Sequence, residues 1–161
     1  MEERATTHAA LVTEYLTAES VPFELVEHEP TSSAYGDARA THRRPESTVK
    51  TVVLKDDTGY VLAAIPASNR LDLHKLREVI GASRKLQLVD EAEMGRVYPR
   101  FEVGAVPPFG PEGPRAEVVD RRLLDEDKIL CAAGDHKHGV LLDPRDLVRI
   151  SGAEVADVCE D

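Results

Sequence analysis

Residues 48–67, TVKTVVLKDDTGYVLAAIPA, decide the fold of this chain. Two apolar runs rich in β-branched residues flank a polar tetrad, DDTG at residues 56–59, which is typical of a β-hairpin with buried strands. Lys50 stands at the entry of the first strand among apolar neighbours. Its ammonium group is expected either to reach the surface or to lie in a cleft, where it would bind an anion or a carbonyl group.

The composition predicts one domain with a hydrophobic core, spanning residues 1–161. No basic and apolar leader and no apolar run of membrane-spanning length is present, so we expect a cytoplasmic protein without a membrane partner. Cys131 and Cys159 have neither the spacing of a metal clip nor that of a redox pair. Both are expected to be small apolar residues in a reducing compartment.

The net charge of −10 is concentrated at the two ends of the chain. Residues 1–30 carry seven acidic residues and one basic residue, and residues 143–161 carry six acidic and two basic residues. The middle of the chain is neutral, with basic clusters around Arg43, Arg100 and Arg122. No aromatic residues interleave with these clusters as they do on a single-strand binding platform, and DNA is not expected as a partner.

The periodicity of apolar residues predicts a mixture of helices and strands. Helices are expected at residues 8–19, 35–40 and 68–80, for about two turns after Asp90, and after Asp143. Strands are expected on both sides of the hairpin turn and at residues 23–27, 86–89, 116–120, 128–133, 139–142 and 155–159. Predicted caps are Thr6 or Thr7, Asp90, Asp143 and, at a C-terminus, Gly81. This order indicates a mixed α/β or α+β domain.

The loop GAVPPFG, residues 104–110, is too apolar for a solvated linker. Pro107 and Pro108 fix the backbone, whereas Gly104 and Gly110 let it approach a ligand closely. Such a loop could aim backbone amides and carbonyls at an ammonium group or a developing oxyanion. It could equally be a rigid crossover between two elements.

The turn at residues 134–139, GDHKHG, could bind a metal ion, because His136 and His138 are two residues apart and would point the same way on a strand. A third ligand is missing unless His28 supplies it, and the chain contains no HExxH motif and no paired cysteines. We therefore predict a site without a metal or other cofactor. The alternative role of the turn is that of a polar hairpin turn with exposed histidines.

Several motifs in order resemble the YbaK/ProX family, the stand-alone relatives of the editing domain of bacterial prolyl-tRNA synthetases. They are VKTVVLK, VLAAIPASNRLDLHKL, GAVPPFG, AAGDH and LLDPRDL, and the resemblance covers about residues 26–150. It implies a curved, largely antiparallel sheet with helices packed around it. It also implies hydrolysis of the ester of mischarged tRNA in trans, with the acceptor end of the tRNA as substrate and a synthetase or elongation factor as a further partner.

The resemblance also implies a set of site residues. The residue matching Lys50 lies beside the terminal adenosine and the aminoacyl ester, that matching Gly104 offers backbone groups, and that matching His136 lines the pocket; these three are the expected catalytic residues. Substrate contacts are expected from neighbouring motif positions: His28, Tyr35, Thr51, Pro108, Phe109, Gly110, Gly134 and Asp135.

The loop departs from the common family pattern GGxSPxG at Ala105 and Pro107, which would narrow the cavity. Ala132 stands where members that clear cysteine usually carry serine. We therefore expect a small amino acid, alanine or serine, as the group removed. The alternative function is a non-catalytic module of the same fold that binds a free amino acid or another small molecule.

Overall fold

The central hairpin is formed by strands β2 (Val49–Asp56) and β3 (Gly59–Pro66), as the sequence predicts. In the computed structural model, which describes residues 7–110 and 113–161, the remaining elements follow in chain order around it. The helices are α1 (Thr7–Ala18), α2 (Ala34–Ala40), α3 (Leu73–Ile80), α4 (Glu91–Val97) and α5 (Pro144–Ser151). The other strands are β1 (Glu24–Glu27), β4 (Gln87–Leu88), β5 (Ala116–Asp120), β6 (Ile129–Ala132), β7 (His138–Leu142) and β8 (Glu154–Ala156).

The hairpin lies within a five-stranded sheet of order β4-β2-β3-β5-β8. The β2–β3 pair has a continuous register from Val49 opposite Pro66 to Asp56 opposite Gly59, and β4 pairs antiparallel to β2. Strands β5 and β8 instead run parallel to their neighbours. The predicted final strand is therefore an edge strand, although it is shorter than residues 155–159.

A second, three-stranded sheet has the order β1-β7-β6 and is antiparallel throughout. It meets the first sheet where Thr48 and Leu130 form a parallel bridge. Four of the six strand pairings are antiparallel, which confirms the predicted α+β class with a largely antiparallel sheet. No helix of the described residues is long and apolar enough to cross a membrane.

The helix boundaries agree with their predicted caps in most cases. Asp143 caps α5 with Pro144 at its first position, and Gly81 ends α3 at a positive φ of 68°. The Asp90 side chain accepts a hydrogen bond from the backbone N–H of Glu93, but the Glu93 carboxylate accepts from Lys55 and Tyr60 instead of completing a capping box.

The predicted start of the third helix at residue 68 is wrong. Helix α3 begins at Leu73 because the Asp72 side chain caps it, accepting a hydrogen bond from the Lys75 N–H. The preceding residues form a turn, and Leu71 bridges to Cys159 near the C-terminus. The cap expected at Thr6 or Thr7 falls outside the side chains that the structure describes.

Two large apolar clusters, and a small one of Val53, Leu62 and Val89, hold the layers together. One fills the space between the two sheets and helices α1 and α5, and includes Leu16, Val49, Phe109, Cys131 and Leu147. The other lies on the opposite face of the hairpin under α3 and includes Leu54, Ile65, Leu76 and Cys159. Burial of each large aliphatic side chain stabilises the fold by about 1.5–3 kcal/mol. Both faces of the five-stranded sheet are consequently covered.

Candidate functional site

The loop after α4 and the turn between β6 and β7 are joined by two backbone hydrogen bonds. The Gly134 N–H donates to the Ala105 carbonyl at 3.0 Å, and the Glu102 N–H donates to the Gly134 carbonyl at 2.9 Å. These bonds fix the beginning of the GAVPPFG loop against the GDHKHG turn. The two motifs that the sequence singled out separately therefore form one corner of the molecule.

Both glycines at this corner have backbone conformations that L side chains rarely adopt. Gly134 has φ of 95°, and a Cβ atom there would lie 2.8 Å from Cδ1 of Phe101. Gly104 has φ of 87°, and a Cβ atom there would lie 3.5 Å from Cε1 of His136, an ordinary contact. Gly104 itself is exposed. Its backbone is therefore open to a ligand beside the His136 ring, whereas Gly134 is closely packed.

Glu102 positions His136 at this corner. The Glu102 carboxylate accepts a hydrogen bond of 2.9 Å from the His136 backbone N–H, and the same oxygen lies 3.9 Å from Nε2 of the ring. About a third of the His136 side chain is exposed. The ring is thus held between a carboxylate and an open glycine, where it can reach a ligand. The sequence analysis did not single out Glu102, although an acid directly before an apolar loop was an available signal.

His28 joins the same corner from the segment that follows β1. Its backbone N–H donates to the Lys137 carbonyl at 2.8 Å, and its Nδ1 contacts the Glu29 carbonyl at 2.7 Å. The side chain is only 2% exposed, and its Nε2 has no hydrogen-bond partner among the described residues. Asp37 Oδ1 lies 3.7 Å from that nitrogen. A buried ring nitrogen without a hydrogen-bond partner in the described part of the chain is a position that a substrate group could fill.

Asp37 is a further residue that sequence reasoning missed. It lies on α2, and its carboxylate accepts a hydrogen bond from the Thr31 hydroxyl. The Thr31 N–H in turn donates to the His136 carbonyl at 3.0 Å. Asp37 therefore connects α2 to the turn through Thr31, and it places a negative charge near His28.

The Asp135 carboxylate makes its hydrogen bonds within the turn itself. Its carboxylate accepts from the Lys137 backbone N–H and contacts Nδ1 of His138 at 2.9 Å, and the residue is buried. The two histidines considered as possible metal ligands thus have different neighbours, Asp135 for His138 and Glu102 for His136. No three His, Cys, Asp or Glu side chains within residues 7–110 and 113–161 are grouped to hold a metal ion.

Lys50 and Thr51 point to opposite sides of β2, since successive side chains of a strand alternate. The Lys50 side chain is exposed and makes no hydrogen bond or ion pair with the described residues. Thr51 faces the core opposite Ala64, and its hydroxyl oxygen is buried without a hydrogen-bond partner in the described structure. Of these two residues, Lys50 is therefore the one whose side chain can bind a ligand from solvent.

The other expected substrate contacts differ in their exposure to solvent. Pro108 and Phe109 are buried, and the Phe109 ring stacks on Tyr15 of α1 with centroids 5.9 Å apart. Tyr35 is 54% exposed on α2, and Gly110 is partly exposed. The structure thus brings Gly104, Gly134, Asp135, His136 and His28 together. It joins neither Lys50 nor Tyr35 to them by a hydrogen bond, and their place in the site stays a prediction.

A model of the aminoacyl-tRNA editing domain matches residues 28–150, most of the chain. This span contains the hairpin with Lys50, the loop with Gly104 and the turn with His136, and it agrees with the extent of the resemblance seen in the motifs.

Solved structures of the same fold cover nearly the whole chain. One is described as a candidate trans-editing enzyme for prolyl-tRNA synthetase, with a TM-score of 0.85 and 28% identity over 96% of this chain and 98% of that chain. Another is described as a hypothetical protein, with a TM-score of 0.83 and 29% identity over 92% and 99%. A third comes from work on grafting linear epitopes onto scaffold proteins, with a TM-score of 0.84 and 27% identity over 96% and 97%. The chain belongs to the family of YbaK-type aminoacyl-tRNA editing domains.

Proposed function

We propose that this protein is a trans-acting deacylase that hydrolyses the ester of mischarged tRNA, with the site at the corner of Gly104 and His136. The observation that carries the proposal is the exposed backbone of Gly104, held at a positive φ beside the His136 ring. The family match and the similarity to a candidate trans-editing enzyme support the reaction class. We propose that residues 1–161 act as one domain in this reaction.

The reaction needs little from the protein because an aminoacyl ester is already activated. Water attacks the carbonyl carbon, a C–O bond forms, the ester C–O bond breaks, and the tRNA hydroxyl leaves with a proton. A backbone N–H aimed at the developing oxyanion and a ring that orients water are sufficient for a useful rate. The corner offers both kinds of group at Gly104 and His136, with Glu102 holding the ring.

Lys50 would bind a phosphate or the ester oxygen of the acceptor end. Its ammonium is exposed and has no carboxylate partner within the described residues, so binding an anion would not require breaking an existing ion pair. This contact is useful on a chain with a net charge of −10, which repels the tRNA backbone overall. A synthetase or an elongation factor would therefore be a helpful partner in delivery.

The expected preference for a small amino acid needs a basis other than loop bulk. Ala105 is 2% exposed and Phe109 is 6% exposed, and Phe109 packs into the core. These side chains face the interior behind Gly104, so their volume does not limit the open side of the corner. A small substrate remains our proposal, and comparing one tRNA charged with alanine, serine, cysteine, proline or leucine tests it.

A pair of lysine variants tests the proposed site. Lys50→Ala should reduce the deacylation rate about a hundredfold, the typical effect of losing one transition-state contact. The matched control is Lys85→Ala, because the Lys85 side chain is 74% exposed and its Nζ lies 4.0 Å from Oδ2 of Asp57. Equal rates for the two variants would remove Lys50 from the site. Saturable binding of aminoacyl-tRNA or a free amino acid without any hydrolysis by the wild-type protein would favour the non-catalytic module instead.

A further inference from the structure

A cavity of about 390 Å³ is lined in part by buried residues of the GAVPPFG loop. Its walls come from α1, from the segment after α4, from the loop and from the sheet, and include Tyr15, Leu62, Val97, Phe101 and Phe109. Lys50, Gly104 and His136 do not line it, whereas Phe109 and Gly110, two of the expected substrate contacts, do. A volume of this order is typical of pockets that take small organic ligands. The cavity is thus large enough for a ligand of its own.

Glu117 of β5 places a carboxyl group in this apolar wall. The residue is 8% exposed, and its Oε2 is buried without a hydrogen-bond partner in the part of the chain that the structure describes. An unpartnered buried carboxyl destabilises a fold by a few kcal/mol at least when charged. It therefore offers a strong interaction to any ligand group that donates hydrogen bonds or carries positive charge.

We propose that this cavity is a second ligand site, which binds a hydrophobic amine with its ammonium group paired to Glu117 and its apolar body packed on Tyr15 and Phe109. Glu117 is the carboxylate among the described lining residues, and aromatic faces favour a cation placed near them. Arg100, the basic residue of the described lining, is exposed and makes no ion pair with Glu117. This proposal is independent of the deacylase function.

The proton of Glu117 gives the site a diagnostic signature. Burial raises the pKa of Glu117 from 4.5 to about 8, so the empty site holds a neutral carboxylic acid at neutral pH. Its titratable neighbours are Tyr15, whose pKa is raised by burial and by the charges of Glu19 and Glu117, and Cys131, whose pKa burial raises. Tyr98 and Arg100 also line the cavity. Glu117 is therefore expected to titrate near pH 8.

An ammonium ligand that binds the carboxylate must displace this proton to solvent. Between pH 6 and pH 8 the fraction of deprotonated Glu117 rises up to about tenfold per pH unit, and the affinity for the amine should rise with it. Above the pKa of Glu117 the affinity should become constant until the amine itself loses its proton. A neutral ligand of the same shape should show no such rise.

Calorimetry with 2-phenylethylamine and its neutral analogue 2-phenylethanol tests the proposal on the full chain. We expect saturable binding of the amine, tighter at pH 8 than at pH 6 by roughly tenfold or more, with proton release detected by comparing buffers of different ionisation enthalpy. Glu117→Gln should remove the pH dependence and the preference for the amine. Glu91→Gln, at an exposed position on α4, is the control and should bind as the wild type does.

Three outcomes would overturn the proposal. They are the absence of saturable amine binding at millimolar concentration, equal affinity for the amine and the alcohol at pH 8, and unchanged amine binding by Glu117→Gln. Circular dichroism on each variant ensures that a loss of binding is not a loss of fold. Because binding is read without tRNA, an inactive deacylase would not affect the result.

Discussion

Substitution of Gly134 by alanine should break the contact between the loop and the turn, and the structure sets the size of the effect. The new Cβ atom would lie 2.8 Å from Cδ1 of Phe101, 3.1 Å from Cβ of His8 and 3.2 Å from the His8 carbonyl oxygen. Two of these three neighbours belong to the first helix close to its backbone, so they cannot move away as the tip of a flexible side chain could.

The expected cost has two parts. Placing alanine at a φ of 95° costs about 1–2 kcal/mol. Overpacking in a closely packed region costs about a further 1–3 kcal/mol. The free energy of unfolding should therefore fall by roughly 2–5 kcal/mol, and the melting temperature of a chain of this length should fall by roughly 10 °C.

Gly104→Ala is the matched control because it shares the backbone strain and lacks the overlap. Its φ is 87°, and the nearest atom to its Cβ is Cε1 of His136 at 3.5 Å. It should lose only about 1–2 kcal/mol of stability. Urea denaturation of both variants gives the comparison. If Gly134→Ala proved as stable as Gly104→Ala, the proposed packing of the loop on the turn and on the first helix would be incorrect.

Three further predictions concern charge and chelation. Because the folded-state pKa of Glu117 is raised from 4.5 to about 8, stability should fall between these pH values as pH rises, and Glu117→Gln should flatten the profile measured by urea denaturation. The slope attributable to this group should approach about 1.4 kcal/mol per pH unit, and an unchanged slope in the variant would contradict the assignment. Glu102→Gln should lower the deacylation rate less than tenfold, because an amide oxygen still accepts a hydrogen bond from the His136 N–H. Glu102→Ala should lower the rate further. Equal rates for these two variants would show that this hydrogen bond does not position the ring. Exhaustive treatment with EDTA should leave the rate unchanged, and a loss of activity that zinc restores would reverse the metal-free assignment and make His28 a candidate ligand.

The features that could be predicted from the sequence are those with local causes. The hairpin of residues 48–67 follows from two β-branched runs around one polar turn, and Asp90 and Asp143 mark helix starts because a cap acts on residues two or three positions away. The predicted start of α3 was wrong because the helical spacing of apolar residues continues upstream of Leu73. Those upstream residues instead form a turn and a bridge from Leu71 to Cys159, which is distant in sequence.

The sequence predicted the two motifs of the candidate site, but not the hydrogen bonds that join them. The glycine-rich loop and the histidine turn each attracted attention separately, but their hydrogen bonds join residues about 30 positions apart, such as Ala105 and Gly134. Glu117 was missed for a related reason. A glutamate in a strand of sequence AEVVD usually indicates a position that faces solvent. Here the loop and α1 cover the face of the sheet on which Glu117 lies.

The proposed deacylase activity is tested most simply by the release of amino acid from mischarged tRNA in the presence of the purified protein. One tRNA charged in turn with alanine, serine, cysteine, proline and leucine would be incubated with the wild-type protein, and the initial rate of ester hydrolysis compared with that of the Lys50→Ala and Gly104→Ala variants. We expect hydrolysis well above the spontaneous rate for at least one small amino acid, and its loss in both variants. Hydrolysis at the spontaneous rate for every ester, or at the wild-type rate in both variants, would contradict it.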